Sequence, residues 1–217
     1  MKGRLIVVEG LDGSGKATQT ALLEQALQQQ AQPVCRVSFP DYAEPSSALV
    51  RMYLGGEFGT EPESVNAYAA SSFYAVDRYA SYKRFWQKKY EAGAVILADR
   101  YVTSNAIYQM VKLPHTEWKP YLDWLSDFEY EKLGLPRPDE VIHLEMPTDI
   151  SQKLLSHRYS GDESKKDIHE THLGFLQQCS RAADFAASEW GWSRVVCAQN
   201  GQPRPVEEIA RELCSLI

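Results

Sequence analysis

Gly10, Gly15 and Lys16 stand in the spacing G-x-x-x-x-G-K within "EGLDGSGKATQ" (9–19), with Gly13 between them. Glycine lets the backbone turn so that successive N–H groups point inward at phosphate oxygens. A helix starting at the lysine adds its positive end, and Lys16 adds a point charge for the outer phosphates. The run Gly10, Leu11, Asp12, Gly13, Ser14, Gly15, Lys16, Ala17 and Thr18 is therefore the candidate nucleotide-phosphate site. Such a loop normally follows its lysine with a Ser or Thr whose hydroxyl ligates Mg²⁺. Here that position is Ala17, and Thr18 lies about 100° further round the helix, so it is no simple substitute. Mg²⁺ would then depend on nucleotide oxygens, water and a carboxylate at the end of another strand, for which Asp99 is placed. The phosphate cradle itself does not need the missing hydroxyl.

A second group of residues suits an acceptor. In "DRYVTSNAIYQ" (99–109), Asp99 and Arg100 put a carboxylate near metal and a guanidinium near phosphate. In the helix expected to follow, Ser104, Asn105 and Tyr108 lie on adjoining faces. Asn offers paired donor and acceptor groups suited to a base edge, and Tyr offers a ring and a hydroxyl. In "FYAVDRY" (73–79), Tyr74 and Arg78 are i,i+4 neighbours: a flat ring one turn from a cation, suited to a stacked heterocycle. The segment "FPDY" (39–42) turns at Pro40, and Tyr42 can project into the same cleft.

These residues need a scaffold, and the chain supplies one by alternation. Short apolar runs at 4–9, 33–39, 94–99, 140–146 and 193–198 read as strands buried on both faces. Helical patterns lie between them: one stripe through Leu22, Leu23, Ala26 and Leu27, a long helix at about 63–90, and others at 103–111, 116–132, 148–157, 168–190 and 205–216. This order predicts an α/β fold with a five-stranded parallel sheet flanked by helices. Ligands then gather beyond the carboxyl ends of the strands, where the loops above lie. The polar stretch 156–167 is expected to be a surface loop or a lid.

With 217 residues, 44% of them apolar and 24% charged, the chain is expected to be one folded domain, 1–217. A net charge of −6 argues against a duplex nucleic-acid partner, which needs a basic surface. The N-terminal apolar run is too short for a signal peptide, and no membrane segment is expected, so the reading is cytoplasmic. Cys35, Cys179, Cys197 and Cys214 form no metal-spaced cluster, and Cys35 and Cys197 read as small buried hydrophobes in strands. The five histidines show no ligand pattern.

"EGLDGSGK", "FPDY", "FYAVDRY" and "DRYVTSNAIYQ" stand in the order and spacing of the thymidylate kinase family, which the chain resembles over nearly its whole length. The resemblance implies a P-loop kinase three-layer sandwich with a lid, and transfer of the γ-phosphoryl group of ATP to the 5′-phosphate of dTMP. It implies that Asp12 touches the acceptor sugar or phosphates, that Tyr74 stacks on thymine, and that Arg78 contacts a base carbonyl. Arg100 would hold the acceptor phosphate with help from Tyr42. Asn105 would face the base, Tyr108 would crowd a ribose 2′-hydroxyl, Phe39 and Leu54 would wall the pocket, and Glu170 would approach the sugar from the lid side. Some members carry an arginine just after the loop aspartate, where this chain has Gly13. In members without it a lid arginine serves the transferred group, which points to Arg158, then Lys165 or Lys166. The resemblance also implies a homodimer packed through helices, with 63–90 as the candidate seam. The alternatives are another nucleoside monophosphate or deoxynucleoside kinase, or a non-catalytic ATP-sensing module.

Overall fold

The computed structural model describes residues 2–158 and 173–217. Five parallel strands form its sheet: β1 (Leu5–Gly10), β2 (Val34–Ser38), β3 (Val95–Asp99), β4 (Glu140–Glu145) and β5 (Ser193–Val196), in the order β2-β3-β1-β4-β5. The predicted α/β architecture is the observed one. Side chains alternate across each strand, so β1 feeds two cores. Leu5 and Val7 pack with Ile96, Ala98 and residues of helices α5 (Thr103–Tyr108), α6 (Trp118–Ser126) and α8 (Leu173–Trp190). Ile6 and Val8 face the other way, onto Leu23 and Leu27 of α1 (Lys16–Gln29) and onto Ile209 and Leu213 of α9 (Val206–Ser215). Each large aliphatic side chain so enclosed contributes about 2 kcal/mol. A satellite core of Tyr53, Val65 and Ala70 joins α2 (Ala48–Leu54) to α3 (Ala67–Ser81), with Leu54, Phe73 and Tyr74 packed against it.

Several elements differ from expectation. The strand β2 is an edge strand with half-buried and exposed residues, because a sheet edge has neighbours on one side only; Cys35 is accordingly half-buried, not buried. The long helix expected at 63–90 begins at Ala67, where Asn66 caps it by accepting from the Ala69 N–H at 2.9 Å. It continues through a π-helical turn, Tyr82–Trp86, into α4 (Gln87–Glu91), and that turn drives Trp86 into the core. Likewise α6 passes into a π-helical turn, Asp127–Lys132. Helix α5 stops at Tyr108, followed by a 3₁₀ turn over Met110–Lys112. Helix α2 had no counterpart in the sequence reading, nor did the small hairpin of β6 (Ala198–Gln199) and β7 (Gln202–Pro203). Helix α7 (Thr148–Arg158) begins within a residue of its expected place. Most of the expected lid, with Lys165 and Lys166, lies outside the described residues, as do Glu170 and the side chain of Arg158.

Candidate active site

The loop between β1 and α1 is built by backbone that side chains would obstruct. Gly10 takes φ 152°, and a Cβ there would lie 2.6 Å from Ser14 Oγ and 2.9 Å from the Leu144 carbonyl. A Cβ on Gly13, at φ 80°, would strike the Ser151 carbonyl and Leu155 of α7. A side chain as large as arginine at that position would have to displace α7. Lys16 is buried and donates to the Leu11 carbonyl at 2.8 Å. Burial, then the nearby Arg100 cation, lowers its pKa to about 8 against the pull of Asp12 and Asp99. Ser14 Oγ is buried with no hydrogen-bond partner among the described residues. Ala17 and Thr18 are both exposed on α1, so neither packs into the core.

Across from the loop, Arg100 stands just past the carboxyl end of β3 in a left-handed conformation, φ 68°. Its Nη2 donates to Asp12 Oδ1 at 2.5 Å and to Tyr108 Oη at 3.2 Å, and Nη1 donates to Ser104 Oγ at 3.2 Å. Tyr108 in turn donates to Asp12 Oδ2 at 2.9 Å. Burial alone would raise the Asp12 carboxyl, but Arg100, Lys16 and these hydrogen bonds outweigh it and hold it well below the usual range. Beneath them lies Glu9, fully buried, which the sequence reading quoted without a role. It accepts from the Tyr101 N–H at 3.2 Å, from Thr103 Oγ1 at 2.6 Å and from Ser104 Oγ at 2.9 Å, so it shapes the turn that carries Arg100. An acid inside the apolar run "LIVVEG" was the signal available for it. Asp99 closes β3 opposite Val8, and its charge acts on both Lys16 and Arg100.

One cleft is lined by Asp12, Phe39, Tyr42, Leu54, Tyr74, Arg78, Arg100, Asn105 and Tyr108, together with Ser104 and Gln109. Every described member of the predicted acceptor set is thus brought together, from five stretches of chain. Phe39 is buried with its ring 6.0 Å from that of Tyr101. Tyr74 meets the Tyr53 ring edge-on at 6.5 Å, which fixes its plane. Tyr42 sits at the lip, 54% exposed, on a segment pinned from two sides. Asp77, buried, accepts from the Asp41 N–H at 2.8 Å and from Ser46 Oγ at 2.6 Å, while Arg51 donates to the carbonyls of Tyr42 at 3.1 Å and Glu44 at 3.2 Å.

Arg78 is less free than a cation one turn from Tyr74 would suggest: its guanidinium is buried and paired with the equally buried Glu129 at 2.6 Å. Burial alone would lower its pKa, but Glu129 keeps it raised, so the pair is ionic and locally neutral. The charge of Arg78 is therefore already matched before any ligand enters the cleft. Glu129 and Gln109 were missed by sequence reasoning. Gln109 lines the cleft with a buried Oε1 that has no partner among the described residues. Its place in "DRYVTSNAIYQ" was the signal; Glu129 had none, because only the π-helical turn brings it inward.

A family model described as thymidylate kinase matches residues 8–209. Thymidylate kinase from Mycobacterium tuberculosis is 30% identical over 202 residues, covering 92% of this chain and 93% of that one. A probable thymidylate kinase from Pyrobaculum aerophilum is 27% identical over 214 residues, covering 98% of this chain and 95% of its own. The solved thymidylate kinase of Candida albicans superposes with a TM-score of 0.72 at 21% identity, over 100% of this chain and 91% of that chain, a likeness of fold.

Proposed function

The chain belongs to the thymidylate kinase family, and from that premise we propose how its own residues carry the reaction. It is an ATP:dTMP phosphotransferase, moving the γ-phosphoryl group of ATP onto the 5′-phosphate of dTMP to give dTDP and ADP. Another nucleotide kinase or a non-catalytic ATP sensor is not favoured. The observation that supports the assignment of residues is the shared cleft, in which the predicted acceptor side chains meet beside the phosphate loop.

The acceptor is a phosphate already ionised near neutral pH, so no strong general base is required. The obstacle is repulsion between two polyanions: about 4 kcal/mol for two unit charges 4 Å apart at an effective dielectric of 20. The amides of residues 10–18 and Lys16 take the ATP phosphates, Arg100 and Tyr42 take the acceptor phosphate, and Asp12 takes the sugar 3′-hydroxyl. Tyr74 carries the thymine ring, Arg78 and Asn105 read its edge, Phe39 and Leu54 wall it, and Tyr108 stands against a 2′-hydroxyl. Held in line, the two phosphates react largely through positioning and charge stabilisation. Arg158, in the lid at 156–167, serves the transferred group, and Glu170 approaches the sugar from the lid side. Arg158→Ala should depress kcat far more than acceptor affinity; equal effects on both would move that role to Lys165 or Lys166.

Mg²⁺ is part of the proposal. Such an ion draws most of its ligands from substrate phosphates and water, so one carboxylate suffices. Asp99 has no hydrogen bond to its carboxylate among the described residues, and Ser14 carries an unpartnered buried hydroxyl, so the local donors are hard oxygens as required. The ion would supply charge neutralisation at the β- and γ-phosphates. We also read residues 1–217 as one domain, cytoplasmic and homodimeric through α3 and the turn after it. No described helix is long and apolar enough to cross a membrane; cell fractionation checks the location. An ADP-release assay across dTMP, dUMP, CMP, AMP, GMP and thymidine tests the substrate. dTMP should lead by a wide margin; turnover confined to thymidine, or to none of them, would overturn the reading.

A further inference from the structure

We propose that Glu129 is a positioning residue that fixes which hydrogen-bonding face the cleft shows the acceptor base, and thereby its choice of thymine over cytosine. The inference rests on the reading of Arg78 and Asn105 as base-facing. Glu129 itself does not line the cleft; it lies behind it, fully buried in the π-helical turn after α6. Its Oε2 accepts from Arg78 Nε at 2.7 Å, and its Oε1 from Arg78 Nη2 at 2.6 Å. The same Oε1 accepts from Asn105 Nδ2 at 3.1 Å, and Nδ2 also donates to the Ser71 carbonyl at 3.3 Å.

Those partners settle the amide's direction by chemistry. A carboxylate paired with arginine and a backbone carbonyl both only accept, so the Asn105 NH₂ must turn towards them. Its Oδ1, which has no partner among the described residues, is the amide atom left for the cleft that Asn105 lines. Arg78 is likewise left with Nη1, whose hydrogen bond to the Tyr101 carbonyl is long, at 3.3 Å. The cleft thus offers an acceptor beside a donor. Thymine answers with N3–H beside O4; cytosine, with a bare N3 beside an amino group, reverses both. One buried carboxylate therefore orders two reading groups at once. A site built to hydrogen-bond one pattern rejects its inverse strongly, because its own buried groups would be left unpaired.

Glu129→Gln removes the charge and gives the new side chain a donor as well as an acceptor. The Asn105 amide can then turn over, and Arg78 loses its fixed partner. The ratio of kcat/KM for dTMP over dCMP should fall at least tenfold in this variant. Glu129→Asp, which keeps the carboxylate one methylene short, should fold where Gln does not and should narrow the ratio by a smaller factor. A residue needed only for stability would lower both substrates in proportion; an unchanged ratio in whichever of the two variants folds overturns the proposal. A separate arm uses the unaltered enzyme with N3-methyl-dTMP. Undiminished use of that analogue would sink the base-reading assignment itself, whereas its rejection, with an unchanged ratio in the variants, would sink only the role of Glu129.

Discussion

Arg100 shows how a single residue combines function with strain. Its φ of 68° costs a non-glycine residue about 1–2 kcal/mol, and the network of Asp12, Glu9 and Ser104 holds it there. On the proposed assignment, the site keeps an arginine in a conformation that suits glycine because its guanidinium holds the acceptor phosphate. Two substitutions separate the terms. Arg100→Ala and Arg100→Gly should both lose more than 100-fold in kcat/KM for dTMP, while the Gly variant should be more stable to urea than the Ala variant by about 1 kcal/mol of unfolding free energy. A loss under fivefold in either would refute the phosphate role; equal stabilities would refute the strain. Residue types were the legible part of this site. Lys16, Arg100, Tyr74 and Asn105 declared themselves by motif, whereas the buried Arg78–Glu129 pair did not, because 51 residues of chain separate its members.

At the scale of elements, the acceptor cleft is assembled by clasps between segments that share no sheet hydrogen bonds. Lys112, in the 3₁₀ turn after α5, donates to Tyr53 Oη of α2 at 2.7 Å and to the Val65 carbonyl at 2.9 Å, with its ammonium 4.8 Å from the Tyr53 ring centroid. It thereby ties the helix bearing Asn105 and Tyr108 to the satellite core beneath Tyr74. Burial, opposed by Glu63, lowers its pKa from 10.5 to about 7. Between those values the unfolded chain holds a proton that the folded one lacks, so this group makes stability rise with pH across that window. The urea midpoint of the native protein minus that of Lys112→Met should accordingly increase from pH 7 to pH 10. A constant difference would mean that the amine titrates normally. Helix α2, to which this clasp reaches, was invisible to periodicity: at seven residues, Ala48–Leu54 is too short to set up a repeat.

For the whole molecule, the feature that bears on assembly is an exposed flank rich in aromatic residues. Val76 is 54% exposed, Tyr79 and Phe85 are 41% exposed, and all three lie on α3 or the π-helical turn that extends it. We expect sedimentation to show a dimer for the native chain and a monomer for Val76→Glu, which puts a charge into the proposed seam. A dimer unaffected by that change would move the seam elsewhere, and a monomeric native chain would remove it. The four cysteines are all free, so no covalent link is required of either form.

The sequence by itself determined the five-strand alternation, the glycine-rich loop after β1 and the family, because each rests on local spacing: a strand's period, a glycine's freedom, a helix's i,i+4 faces. It also placed nearly all the side chains of the cleft, since they sit next to strand ends. Tertiary structure alone decided what those side chains are free to do. A side chain at Gly13 would have to displace α7 because that helix passes over it, Arg78 is neutralised because a π-helical turn carries Glu129 under it, and β2 is half-exposed because it ends the sheet. Each of these is a contact between residues distant in the chain, and local pattern carries no record of such contacts.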